Sequence, residues 1–191
     1  MIKKRLPYIA AGLLITMFVI NGCGGSSAKP SDPRDPTLSL VFGYIDMEDA
    51  PSSVGWVVIK QHKPKPQMEY GCEVDDGMFW NYGIRIGSHR VERFGKIHGF
   101  LGNTDYYYSA IPDTQIRIKR PGIYFMGAYK YKVVKKSNWF TGGGGKFKLV
   151  RVKSPSERKL LKKLLKEFKD DDEKKFYRQI RMINKRLRKL R

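Results

Sequence analysis

Val74-Asp75-Asp76-Gly77-Met78-Phe79 decides how the middle of this chain is read. Asp75-Asp76-Gly77 is a tight-turn signal, because Asp hydrogen-bonds its own backbone there and Gly takes a left-handed conformation without steric cost. Met78 to Tyr82 follows as a short apolar run with Phe79 as its inward ring, and Gly87 marks a second bend before His89 to Phe94. Outward from there the same punctuation repeats. Upstream lie Leu38 to Met47 and Gly55 to His62, joined by the turn-rich Glu48 to Ser53; downstream lie Gln115 to Lys119, Ile123 to Val134 and Lys146 to Val152. Seven short runs bounded by Gly, Pro, Asn and Asp predict a mainly β domain over residues 38–153, an antiparallel β-sandwich of about seven strands. No helical period interrupts the runs, so parallel crossovers are not expected. Phe79 and Trp56 are the aromatic residues expected in the core.

Composition bounds the rest. The chain has 191 residues, with 38 Lys plus Arg against 18 Asp plus Glu, a formal charge of +20. That length allows one domain and excludes a large multidomain enzyme. Its 41% hydrophobic residues exclude wholesale disorder, and two cysteines exclude a disulfide-dense scaffold or a four-thiolate zinc site.

At the N-terminus Lys3, Lys4 and Arg5 precede an apolar stretch from Tyr8 to Ile20, the order of a secretory signal and too short for a durable bilayer span. The stretch ends at Ile20-Asn21-Gly22-Cys23. This resembles the lipobox of bacterial lipoprotein precursors. The resemblance implies cleavage between Gly22 and Cys23, lipidation of the Cys23 thiol, and membrane attachment without a spanning helix. Residues 1–22 are then the signal peptide. Gly24 stands where inner-membrane lipoproteins often carry Asp, so the resemblance favours the outer membrane of the cell envelope. Residues 23–37, with Gly24, Gly25, Ser26, Ser27, Pro30, Pro33 and Pro36, read as a lipidated flexible tether.

Val74 to Val91 resembles the carboxypeptidase regulatory-like, transthyretin-like β-sandwich, with Asp75-Asp76-Gly77 as its turn and Phe79 as its ring. Arg120-Pro121-Gly122-Ile123-Tyr124-Phe125-Met126-Gly127 is similar to small uncharacterised envelope lipoproteins in which Pro-Gly starts a late strand. Both resemblances imply a fold and a compartment, and neither implies a reaction.

No catalytic signature emerges. His62, His89 and His98 lack close ligand spacing, leaving only a site assembled from distant strands with Asp46 or Asp75 against the alternative of structural histidines. No metal site, cofactor or enzyme activity is expected. Once Cys23 is lipidated, Cys72 has no partner within the chain and is either buried or a site of pairing between chains. Gly142 to Gly145 lacks the ending a phosphate loop requires and reads as a hairpin loop. Tyr106-Tyr107-Tyr108 and Trp139-Phe140 suit core packing or stacking on a sugar or a peptide. Lys130 and Lys132 share one strand face and Lys146 and Lys148 another, so a hairpin across the glycine loop crowds four cations on a solvated or anion-binding face.

Ser154-Pro155-Ser156-Glu157 reads as a capping box that starts a helix with Pro at its first position. Leu160, Leu161, Leu164, Leu165 and Phe168 form one apolar stripe, and Phe176, Ile180, Ile183, Leu187 and Leu190 form a heptad seam after Asp170-Asp171-Asp172-Glu173. Residues 154–191 are thus a basic amphipathic helical segment, with 17 basic and 6 acidic residues from Arg151 onward, a net +11. Together these readings describe a lipid-anchored envelope protein acting as a non-catalytic structural or interaction module. The alternative is an envelope module that binds a glycan or anionic ligand; an envelope hydrolase is a third and less favoured reading. The partners expected are the membrane, through the N-terminal lipid, and an anionic envelope component or protein at the basic tail; nucleic acid is not expected.

Overall fold

The computed structural model describes residues 31–47, 54–98, 103–108, 114–135 and 146–190. Among the described residues nine strands precede two helices: β1 (Ser39–Asp46), β2 (Trp56–Lys63), β3 (Glu69–Asp75), β4 (Met78–Ile84), β5 (Gly87–His98), β6 (Asn103–Tyr108), β7 (Ile116–Ile118), β8 (Ile123–Lys135), β9 (Lys146–Val152), α1 (Glu157–Asp172) and α2 (Tyr177–Lys189). All seven expected runs are strands. β3 and β6 are additional.

The strands do not divide into the two separate sheets of a seven-stranded sandwich. They form one hydrogen-bonded sheet in the order β6-β5-β2-β3-β4-β1-β8-β9, with β7 beside the start of β5. That sheet curls on itself, since Val57, Ile59, Val91 and Phe94 from one part meet Phe79, Met126, Tyr129 and Leu149 from the other in a single core. The expectation of no parallel pairing is also corrected: β1 runs parallel to β8, with Leu40 beside Ile123 and Asp46 beside Lys130. A helical crossover is unnecessary here, because six intervening strands make the connection.

The β3–β4 hairpin turns at Asp76 and Gly77, both at positive φ (45° and 75°), the conformation that the Asp-Gly pair supplies at least cost. It delivers Phe79 into the core, fully buried. Close approach of β1 is possible only because residue 43 is Gly: a Cβ there would run into the Phe79 ring. Trp56, expected beside Phe79 in the core, is only half-buried, because the alternation of β2 gives Val57 and Ile59 the inward positions.

β1 and β4 are covered on both sides, which explains why Leu38 to Ile45 reads as a nearly continuous apolar run. Val41 and Ile45 face the curled core, while Leu40 and Phe42, with Met78 and Trp80 of β4, face a second cluster made by Leu160, Leu161, Leu164, Phe168, Phe176, Ile180 and Ile183. The basic tail is therefore part of the fold. Its two helices are a lid over the outside of the central strands, with Phe168 and Phe176 stacked 4.6 Å apart where the chain reverses.

Helix α1 starts two residues later than the capping box suggested. Ser156, not Ser154, is the N-cap, its hydroxyl accepting from the Lys159 N–H at 3.3 Å, and Pro155 precedes the helix. The acidic run ends α1 rather than opening α2: Asp172 Oδ1 accepts from the Lys174 and Lys175 backbone at 3.0 Å each. Glu157 then ties the hairpin by taking the Arg186 guanidinium at 2.7 and 3.1 Å.

Candidate functional site

Outside the cores, charged and polar side chains gather at the helical lid with the segment that precedes β1, and on the polar outer face of β3, β2 and β5. Helix α2 contains Arg178, Arg181, Lys185, Arg186, Arg188 and Lys189 and no acidic residue. Opposite its buried stripe, Arg181, Lys185 and Arg188 are exposed at helical spacing, and Lys162, Lys166 and Lys169 are exposed in the same way on α1. Burial of one stripe on the sheet dictates which stripe meets water.

The chain before β1 is held against this lid. Gln179, itself buried, donates from Nε2 to the Pro33 carbonyl at 2.5 Å, and Arg178 donates to the Pro36 and Leu38 carbonyls at 3.1 and 2.9 Å. Asp35 accepts from the Thr37 backbone and hydroxyl at 2.8 and 2.6 Å, closing a local turn. Residues 31–37, expected at the end of the free tether, are thus docked on α2, because three backbone carbonyls find side-chain donors there. On the far side, Lys163 bonds Asp75 at 2.8 Å and lies 3.5 Å from Asp76, fixing α1 to the β3–β4 turn. Partial burial disfavours the Lys163 ammonium, but the bond to Asp75 and the fields of both carboxylates hold its pKa above the ordinary range. Asp75 is thereby engaged in structure.

The outer face of β3, β2 and β5 holds an ion-pair network. Arg93 grips Glu69 through two bonds of 3.1 and 2.6 Å, Arg90 bonds Glu92 at 2.9 Å, and Lys60 lies 3.9 Å from Glu69 and 3.6 Å from Glu92. His62 Nε2 stands 3.8 Å from Glu92. These pairs are partly exposed, so each contributes about 1 kcal/mol or less.

Of the four lysines expected to gather on the β8–β9 hairpin, the pairing brings two together. Lys132 stands directly opposite Lys148, both exposed, whereas Lys130 faces Val150 and lies beside Asp46 of β1, and Lys146 is opposite Lys135. The strand bulge between Val133 and Lys135 and the offset of the pairing separate the set. Gly142 to Gly145, Trp139 and Phe140, like Gly22 and Cys23, lie outside the described residues, as do the side chains of Tyr106 to Tyr108 and of His98.

His89 is inward and fully buried, 5.8 Å from the Tyr70 ring, and neither ring nitrogen has a hydrogen-bond partner among the described residues. Burial pulls its pKa down to about 4, with a backbone contact at Gly87 working the other way and His62 adding to the decrease. It is a neutral core residue at pH 7. Cys72 is partly buried and packs against the core, and desolvation pushes the pKa of its thiol up, which disfavours the reactive thiolate. Among the described residues no three His, Cys, Asp or Glu side chains converge as a metal site would require, and no helix is long and apolar enough to cross a membrane. The signal that sequence reading missed is the docking of Pro33 and Pro36, whose trace in the sequence is the polar pair Arg178-Gln179 beside the apolar stripe of α2. No family model, curated protein or solved structure matches this chain.

Proposed function

We propose that this protein is a lipid-anchored envelope module that acts without catalysis, holding its cationic helical lid against the anionic surface of the membrane that anchors it. The outer membrane is the favoured site, reached through lipidation of Cys23. The observation that carries this reading is the latch of Gln179 and Arg178 on residues 33–38.

The latch sets where the anchor departs. Only seven residues separate Ser31 from Cys23, and the eight Cα-to-Cα steps between them span at most ~28 Å when extended and about 16 Å on average if they behave as a flexible chain. A lipid on Cys23 therefore keeps α2 within a few Debye lengths of the headgroups, the Debye length being ~8 Å at physiological salt. Each Lys or Arg near such a surface contributes about 1 kcal/mol. Lipid and charge are then two attachments of the same face, which together give stable binding where one alone is reversible.

Two measurements test this. Fatty-acid labelling of the full chain is expected to be lost with Cys23→Ser, with the protein shifting to the soluble exported fraction; equal labelling refutes the anchor. In the Cys23→Ser background, replacing Lys162, Lys166, Lys169, Arg181, Lys185 and Arg188 by Gln is expected to abolish low-salt co-sedimentation with phosphatidylglycerol vesicles while leaving the fold intact. Unchanged binding refutes the role of the lid. Deleting residues 154–191 is not an informative variant, because it uncovers Leu40, Phe42, Met78 and Trp80.

A further inference from the structure

A second cationic surface lies away from the lid, where β2 and β7 flank the start of β5. Register places Lys63 beside Ser88 and Ser88 beside Arg117, so the three form one row across three neighbouring strands on the outer face of the sheet. Strands are spaced by ~4.8 Å, which sets the Lys63 and Arg117 backbones roughly 10 Å apart with the Ser88 hydroxyl between them. This row borders an open cleft of about 850 Å³, also lined by His62, Ile86 and Lys119. That volume is at the upper end of the range for small-ligand sites, about 300–1,000 Å³.

The cleft differs from the neighbouring outer face in its charge balance. There every cation of the network meets Glu69 or Glu92. In the cleft the carboxylates run out: among the described residues none lines it, and none forms an ion pair with Lys63, Arg117 or Lys119. Ile86 is 48% exposed at its edge, one of few large apolar side chains left in water. Gly87 makes the arrangement possible. Its φ of 152° suits glycine, and a Cβ there would run into the Lys63 carbonyl, so only glycine lets the β4–β5 turn close against β2.

We propose that the Lys63–Ser88–Arg117 row is a binding site for a small ligand bearing phosphate groups, with Lys119 at the rim and Ile86 available to an attached ring or chain. Arg117 offers a fork of donors to phosphate oxygens, Lys63 a point charge, and Ser88 a neutral donor between them. A pyrophosphate-sized anion bridges the two cations and relieves the repulsion they otherwise exert. The same phosphate chemistry is available from a soluble phosphorylated sugar or from a lipid headgroup. This site does not rest on the membrane-facing role of the helices.

The test is calorimetric titration of the full chain in neutral detergent with inorganic pyrophosphate, repeated with vesicles containing phosphatidic acid. Saturable pyrophosphate binding is expected, weakened at least tenfold in Lys63→Gln/Arg117→Gln and partly retained in Arg117→Lys. The six-residue helix variant named above is expected to bind pyrophosphate as the wild type does. Binding of pyrophosphate itself identifies a soluble source, whereas binding confined to vesicles and lost with Lys63→Gln/Arg117→Gln identifies a headgroup. No binding to either probe, or equal binding by wild type and the double variant, overturns the proposal. All the replaced side chains are exposed, so an unchanged thermal midpoint separates loss of the site from loss of the fold.

Discussion

Acidification from pH 7 to pH 4.5 is expected to weaken the fold through His89. The imidazole is fully buried among Tyr70, Gln61 and the Gly87 backbone, with His62 as a titratable neighbour, and its pKa lies at about 4 against the ordinary 6.5. In the unfolded chain His89 takes up a proton as pH falls through 6.5; in the folded chain it does not until about pH 4. The unfolded state thus binds more protons over this window, and stability falls with pH at up to ~1.4 kcal/mol per pH unit. The contribution is fully present above pH 6.5, is lost between 6.5 and 4, and amounts to about 3 kcal/mol in all. Against a total stability of roughly 5–15 kcal/mol, that is a large fraction. His62 shifts in the same direction, through burial first and then Arg90, and adds to the slope. Urea unfolding of the full chain at pH 7, 6, 5 and 4.5 measures it. His89→Asn removes the titrating group, so its stability curve is expected to be lower but flatter across the window. A wild-type curve that stays level down to pH 4.5, or a slope in His89→Asn as steep as that of the wild type, refutes the reasoning.

Phe79→Ala empties a fully buried aromatic site beside Gly43 and is expected to cost ~3–5 kcal/mol; a thermal melt matching wild type would show that the ring does not hold the curled core. Gln179→Ala removes the bond to the Pro33 carbonyl, and trypsin is expected to cut faster after exposed Arg34 while the helices remain folded; an unchanged cleavage rate would mean that the latch does not restrain this segment.

The strands most legible in sequence were those whose alternation ended at a Gly, Pro or Asp. Ile123 onward begins just after Pro121-Gly122, and the Asp76-Gly77 turn sits between two paired strands as its residues required. β3 was missed although Tyr70, Cys72 and Val74 alternate inward, because Glu69, Glu73 and Gly71 give its outer face the look of a loop. β6 was missed because Asn103-Thr104-Asp105 precedes its tyrosines. Local pattern cannot distinguish one curled sheet from two stacked sheets, since both demand the same inward residues; the β1–β8 pairing, between residues more than 80 apart, made that choice. The helical stripes were legible as apolar faces, but which surface they cover depends on Leu40 and Phe42 being left bare by the sheet. Likewise the Lys63–Ser88–Arg117 row joins three distant segments and leaves no spacing motif.

The position of β1 imposes an order of events on a chain made from its N-terminus. β1 is the earliest of the described strands in the chain, yet its neighbours are β4 and β8, and its outer face is sealed by residues as late as Ile183. Leu40, Val41, Phe42 and Ile45 must therefore wait, sticky and unpaired, while more than a hundred further residues are added. Such distant pairing slows folding, and a bare apolar strand during that delay invites association with other chains. Loss of the helix residues that cover Leu40 and Phe42 is therefore felt at the strand that has waited longest for its partners.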